Sequence, residues 1–371
     1  MIDTDPAVRT LSSLIVPPEV GLRRVPPPRT IVSGPEFWER YDRDTLLYDC
    51  FARPDLGEVI VYLPKALNFL PILKSSRYYI DGKKRVSPTF RHYRRFDKIT
   101  FKVEFPASSL LIEGDGWSSN LTLQEAPLEK FSGKNVLYTM LKDPDLNWVS
   151  DWVKFHHRAH GANAVLIANN GSTRYTSGEL QRAISSVSGI DCAEVLDVPL
   201  PYGPIAGVAR SFGRTHFLQT AFLNLARDRF LAKSRAVLNG DIDELVIGKT
   251  GQSIFDATVN GWGYITFPGV WRYAADTGSE VQHRDHWLCD TSGPSCSPKY
   301  CIAPSSLFGR MTWSVHSLEM INRRLFSGGS KFHFLHCRNI CTSWKVERSR
   351  KWTSTQYEDI EARAYLSKIF D

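Results

Sequence analysis

The chain has 371 residues, of which 42% are hydrophobic and 23% charged. That is the composition of an ordinary soluble globule, long enough for a large domain and a smaller one. Lys and Arg number 46 against 39 acids, a formal charge of +7; so modest an excess suits a surface that meets phosphates or an anionic membrane face, and suits solubility alone equally well.

The first twenty residues, MIDTDPAVRTLSSLIVPPEV, place two acids ahead of any apolar stretch and lack the apolar core of a secretory signal. No run of about eighteen apolar residues follows, so no bilayer-spanning helix is expected. Without a signal, an odd count of seven cysteines points to reduced thiols in a cytoplasm. The sequons at Asn120 and Asn170 are then accidental. Residues 1–35 are rich in proline and read as an extended arm or a strap across the surface. From 36 to 132 the texture is β. EVIVYLP, RYYIDG, KITFKVEF, SSLLIEGDG and NLTLQE are short β-branched and aromatic runs between turn residues, the pattern of a sandwich-like accessory domain. Within it RHYRRFDK (91–98) interleaves a Tyr with cations, but one such patch does not make a groove, and no nucleic-acid partner is expected.

From residue 133 strands and helices alternate. KNVLYTML is a buried-strand run, and NWVSDWVKFHHRAHG follows as an amphipathic helix with Trp148, Trp152 and Phe155 on one stripe and Gly161 closing it. Of His156 and His157 only one can face the sheet, and both read as structural. AVLIAN, SGELQRAISSVSG, AEVLDVP, FLQTAFLNLARDRFLAKS and RAVLNGDIDEL continue the series as strand, helix, strand, helix, strand. Such alternation implies a parallel sheet, whose ligands bind beyond the carboxyl ends of the strands. Lys142–Asp143, Asn169–Asn170 and Asp241–Glu244 all follow strands and so share one rim. Beyond Glu244 the pattern loosens: GYITFPGVWRYAADTG and CSPKYCIAP are compatible with strand or loop, and 351–371 reads as a terminal helix on the surface.

RAVLNGDIDELVIG (235–248) carries the chemistry, since three acids stand directly behind an apolar run. On an extended backbone residues i and i+2 share a face, so Asp241 and Asp243 would ionise side by side and call for a cation. A hard divalent ion with oxygen ligands, Mn²⁺ or Mg²⁺, fits; with open positions it would also receive a diphosphate leaving group. An isolated Asp-X-Asp is commonly a solvated turn, and the alternating series and convergent rim are what favour the functional reading. A haloacid-dehalogenase-type phosphatase also ends a strand in Asp-X-Asp, but after its first strand and continuing to Thr. Here the acids follow the fourth strand and continue Glu-Leu-Val.

YTMLKDPDLNWVSDWVKFHHRAHGANAVLIANNGST, then FLQTAFLNLARDRFLAKSRAVLNGDIDELV, resembles the core of nucleotide-sugar glycosyltransferases of the GT-A fold, in the family-two-like and family-ninety-two-related branch. The resemblance implies an α/β GT-A domain, Rossmann-like with a mostly parallel sheet, over 133–350, and leaves 351–371 as an appended helix. It implies a metal-dependent enzyme, using Mn²⁺ or Mg²⁺, that moves a sugar from a UDP- or GDP-sugar donor to a hydroxyl of a glycan or glycolipid. Asp243 would bind the metal, and Asp241 the metal or the nucleotide ribose. Lys142, Asp143, Asn169 and Asn170 would line the nucleotide pocket, Arg214 and Gln219 would face it from the third helix, and Lys345 and Arg348 would screen the diphosphate. Where the family reads Lys-Asn-Glu this chain has Lys142-Asp143-Pro144, a departure at the base-contacting position. A late His completes the family's metal set; His316 is favoured for it, with His336 second and nearer donor or acceptor. VWRYAADTG (270–278) would lie by the acceptor. Inverting members need a base for the acceptor hydroxyl; Asp276, Glu280 and Asp285 are the candidates, Asp276 first.

HFLHCRNIC also groups His333, His336, Cys337 and Cys341, but structural zinc favours repeated, spaced Cys pairs and this spacing is poor. A Cys296–Cys301 disulfide would need an oxidising compartment. The expected setting is cytoplasmic, peripheral to the inner membrane face, in bacterial surface-polysaccharide synthesis. A carbohydrate-binding protein with a decayed site is the alternative from another class, and the intact Asp-Ile-Asp-Glu argues against it.

Overall fold

The computed structural model describes residues 8–32, 34–204, 215–249, 251–276, 278–290, 296–340, 342 and 355–371, with backbone alone at 323 and 324. Arg214, Lys345 and Arg348 therefore lie outside the described residues, as does Cys341. The chain packs as two compact units. One comprises Met1–Arg9, Leu128–Asp197 and Leu231–Asp371; the other comprises Thr10–Pro127 and Val198–Phe230.

The first unit is built on strands β1 (Val8–Arg9), β2 (Asn135–Leu141), β3 (Ala164–Asn169), β4 (Cys192–Asp197), β5 (Ala236–Asn239), β6 (Glu244–Gly248), β7 (Tyr264–Phe267), β8 (Gly269–Arg272), β9 (Lys299–Ile302) and β10 (Phe332–Cys337). Seven of them form one sheet in the order β1-β4-β3-β2-β5-β9-β7. β9 alone runs antiparallel to its neighbours, while β1, β4, β3, β2 and β5 are mutually parallel. The unit is thus mixed α/β with a mostly parallel sheet. β2 and β3 are buried along almost their whole length, as continuous apolar runs in a doubly covered parallel sheet must be. From β2 the chain winds outward through β3 to β4, then returns to place β5 on the other side of β2. The strand order reverses between β2 and β5, the position where open α/β sheets leave a crevice.

Helix α1 (Leu146–His160) follows β2. The Asp145 side chain caps its first turn by accepting from Asn147 N, and Gly161 ends it at φ 72°, the left-handed conformation that costs glycine nothing. Its buried stripe of Val149, Trp152, Val153 and Phe155 joins the main core. Helix α2 (Ser177–Ser185) opens with a reciprocal capping box between Thr176 and Glu179. A short helix α3 (Ile254–Asn260) follows β6. The terminal helix α4 (Ile360–Phe370) is packed, not superficial. Ala362, Leu366, Ile369 and Phe370 recur at helical spacing and enter the same core, and the backbone carbonyls of Ile369 and Phe370 accept from Arg158 and Lys154 of α1.

A second sheet, in the order β6-β10-β8, stands beside the first. Among the described residues its outer strand β6 has no further strand beyond it. Two imidazoles of α1 take that role: His156 Nε2 accepts from Val246 N at 3.2 Å, and His160 Nε2 meets Val246 O at 2.7 Å. His156 is the member of its pair that faces the sheet; His157 is half-buried against Ala162 O.

In the second unit two four-stranded antiparallel sheets share a core. One contains Arg77–Ile80, Lys84–Val86, Ser109–Glu113 and Ser118–Thr122; the other contains Asp49–Arg53, Glu58–Pro64, Thr89–His92 and Phe96–Lys102. The proline-rich stretch is a strap, pinned where buried Arg24 donates to the carbonyls of Asp42, Thr45 and Lys65. The helix Leu218–Ala226, expected in the parallel domain, belongs here instead. Every residue from Thr220 to Ala226 is buried, the polar Thr220 and Asn224 included, so its polar positions do not mark a solvent face that would tell which sheet it covers. Its continuation decides: Asp228 accepts from Tyr62 Oη and Lys98 Nζ, and Arg229 donates to Asp49 at 2.8 Å. All six described cysteines are free thiols, Cys296 and Cys301 among them.

Candidate metal centre at the sheet rim

The chain leaves β5 through a turn at Gly240–Asp243 and re-enters extended structure as β6. Asp241 and Asp243 therefore do not share a strand face; the turn sends them to different partners. Its backbone is held at each step. Gly240 N donates to Tyr138 O, His283 Nε2 meets Ile242 O at 2.8 Å, Cys337 N donates to Asp243 O at 2.7 Å, and Trp152 Nε1 donates to Glu244 O at 3.0 Å. Trp152, from α1, is fully buried. A turn so tied presents its carboxylates from a rigid frame, as a binding constellation needs.

Asp243 Oδ2 lies 3.1 Å from Nε2 of His336 on β10. The β6–β10 register sets Glu244 opposite His336. Trp271, directly across from His336 on β8, stacks on its ring at 3.9 Å and 14°. Burial alone would lower the His336 pKa, but the Asp243 charge and hydrogen bond outweigh it and push it up to about 10. Burial pushes Glu244 up to about 7, against the nearby Lys299 ammonium.

Lys299 of β9 reaches the same turn. Its side chain is 2% exposed and its Nζ lies 2.6 Å from Asp241 Oδ2 and 3.0 Å from Glu244 Oε2. Asp241 N also donates to that Glu244 oxygen at 2.9 Å. Burial works against the ammonium, yet the two carboxylates raise its pKa well above the ordinary value. The charge expected opposite the acids is thus supplied in part by the chain itself. The signal was a Lys inside the short strand run KYCI, because lysine is almost never fully buried unless paired.

Asp243, Glu244 and His336 offer ligand atoms that all lie within 4.8 Å of one another, the metal-capable group found among the described residues. Two carboxylates and one imidazole suit Mn²⁺ better than the all-oxygen preference of Mg²⁺. The residues present fit a divalent ion, provided His336 gives up its proton. His336, second choice from sequence, takes the place expected of His316, whose Nδ1 instead meets Pro298 O at 3.2 Å. His336 does not converge with His333 and Cys337, because residues an odd number apart on β10 point to opposite faces: Glu244 lies across from His336, while Cys337 is buried in the core.

Lys142, Asn169 and Asn170 stand at the carboxyl ends of β2 and β3, on the rim that β5 shares. Asn169 Nδ2 donates to Ser177 Oγ, which donates on to Asp197 Oδ1. Asp143 has a different use. At φ 55° it sits in the left-handed region, and its Oδ1 accepts from the amides of Thr173 and Arg174 at 2.6 and 2.9 Å. Burial raises its pKa, but those amides hold the carboxyl below its usual range. It is a clamp on the 170–174 loop, already saturated with donors. Gln219 lies in the other unit, where its Oε1 accepts from Tyr202 Oη at 2.8 Å.

The three candidate bases separate. Asp276 is exposed and accepts from Gly278 N at 3.0 Å in its own turn. Glu280 is exposed as well. Asp285 is buried and accepts from Gln282 N at 2.8 Å, so its carboxylate is committed to a cap. No protein-family model matches this chain and no curated protein matches it. Among the described residues no helix is long and apolar enough to cross a membrane.

Proposed function

We propose that the chain is a metal-dependent glycosyltransferase of the GT-A type, moving a sugar from a UDP- or GDP-sugar to a hydroxyl of a glycan or glycolipid. One observation carries the reading: Asp243, Glu244 and His336 converge within 4.8 Å at the point where the order of the parallel strands reverses, the site where such sheets bind nucleotides.

Asp243, Glu244 and His336 would hold Mn²⁺, and Trp271, stacked on His336, fixes the orientation of its ring. The ion, when bound, supplies positive charge to the departing nucleoside diphosphate. Lys142 and Asn170 offer a cation and an amide along the adjoining rim for the nucleotide, while Asn169, buried and bonded to Ser172 and Ser177, braces that rim. The acceptor hydroxyl must lose a proton, and Asp276 and Glu280, exposed carboxylates on the segment after β8, are the groups assigned to take it. A frame already oriented toward the leaving group lowers the barrier without reorganising during reaction.

A thermal-shift screen of UDP, GDP and their sugars, with and without Mn²⁺, tests this, since ligands that bind only the folded chain raise its melting temperature. Mn²⁺-dependent stabilisation by one nucleotide class is expected, lost in Asp243→Asn without loss of the fold. Stabilisation unaffected by Asp243→Asn or by chelator would refute the reading.

A further inference from the structure

Resting on that reading, we propose that Lys299 is a built-in counter-ion that commits Asp241 to itself, so that the cation is held by Asp243, Glu244 and His336 and not by the first acid of the Asp-X-Asp. Lys299 Nζ bridges Asp241 Oδ2 and Glu244 Oε2, and the Asp241 amide returns to the same Glu244 oxygen. Asp241 is thereby turned toward β9, while Asp243, two residues on, is turned toward His336 of β10. Lys299 sits on the strand that pairs with β5, with Asn239 opposite Tyr300, so the ammonium reaches the turn from a fixed base.

Charge explains why a buried lysine belongs there. Among the described residues the turn brings three carboxylates to one ammonium, so Lys299 offsets part of their mutual repulsion and leaves a net negative charge for a cation. Without Lys299 the turn would carry an excess that repels itself when no metal is bound and binds metal too tightly when one is. Lys299 is therefore a positioning residue: it sets the charge of the site and aims its neighbours, and does not itself touch the metal.

The test compares Mn²⁺ binding by calorimetry to the full-length chain and to three variants, with thermal unfolding of each in chelator. Asp241→Asn, which removes a nearby charge but no ligand, is expected to weaken Mn²⁺ binding by no more than about tenfold, whereas Asp243→Asn weakens it more than about a hundredfold. Lys299→Met is expected to tighten Mn²⁺ binding about tenfold by removing a nearby positive charge, to lower the melting temperature in chelator, and to regain it on adding Mn²⁺. Asp241→Asn as damaging to Mn²⁺ binding as Asp243→Asn would overturn the inference, and so would unchanged Mn²⁺ affinity in a folded Lys299→Met. If the parent chain binds no Mn²⁺, the metal reading of the preceding section fails and this assignment with it. A failure confined to the Asp241 and Lys299 variants leaves that reading standing. Should Lys299→Met not fold, the comparison of Asp241→Asn with Asp243→Asn decides alone.

Discussion

Lowering the pH below about 6.5 should unfold the metal-bearing unit through four buried histidines. His156, His160, His283 and His286 are each at most 3% exposed. Burial holds His156 and His286 down to about 3, and His160 and His283 down to about 4. All four are neutral; His283 meets Ile242 O through Nε2, and the other three are wedged between backbone groups. His156 spans Trp152 O and Val246 N, His160 spans Val246 O and Ile254 N, and His286 spans Gln282 O and Asn339 N. The sign follows from the depressed folded pKa. Above about 6.5 neither state binds the proton and the full stability is present; below it the unfolded chain takes up protons that the folded chain refuses. At pH 5 each histidine then costs about 2 kcal/mol, and the four together about 8 kcal/mol, if the unfolded pKa is near 6.5. A domain stable by about 5–15 kcal/mol would lose most of its margin. Urea unfolding across this range should show about four protons taken up. His160→Gln, which removes one titrating ring, should reduce the slope by about a quarter. A stability that stays flat between about pH 7 and about pH 5, or a slope unchanged by His160→Gln, would refute the reasoning.

Two further outcomes follow from buried charges. Because His336 is raised to about 10 and must be neutral to ligate, Mn²⁺ affinity should climb with pH above about 7, by up to about tenfold per unit, with one proton released per ion, and a second released from Glu244 below about 7; calorimetry in buffers of different ionisation enthalpy counts them, and a pH-independent affinity above about 7 would speak against His336 as ligand. In the β-rich unit, Arg229→Met leaves fully buried Asp49 without its partner and should cost about 3–5 kcal/mol in urea unfolding, most of it recovered when Asp49→Leu is added; no recovery in the double variant would show that the pair contributes more than mutual neutralisation.

The residues along the chain determined the local elements. Apolar runs such as AVLIAN could only be buried strands, the stripe of α1 ended at Gly161 as glycine requires, and the order strand-helix-strand placed Asp241–Glu244 at a strand end on the shared rim. These are matters of spacing and propensity, which act over a few residues. What sequence left undecided were partners far apart in the chain. The helix at 218–226 is buried on every side from Thr220 on, so only the contacts of Asp228 and Arg229, just beyond it, with Asp49, Tyr62 and Lys98 assign it to the β-rich unit. Whether His316 or His336 meets Asp243 depends on the β6–β10 register, across roughly ninety residues of chain. Lys299, on the strand beside β5, is invisible to any reading of the acidic stretch itself. Charge balance in a buried site is a sum over neighbours in space, and only the tertiary structure says who those neighbours are.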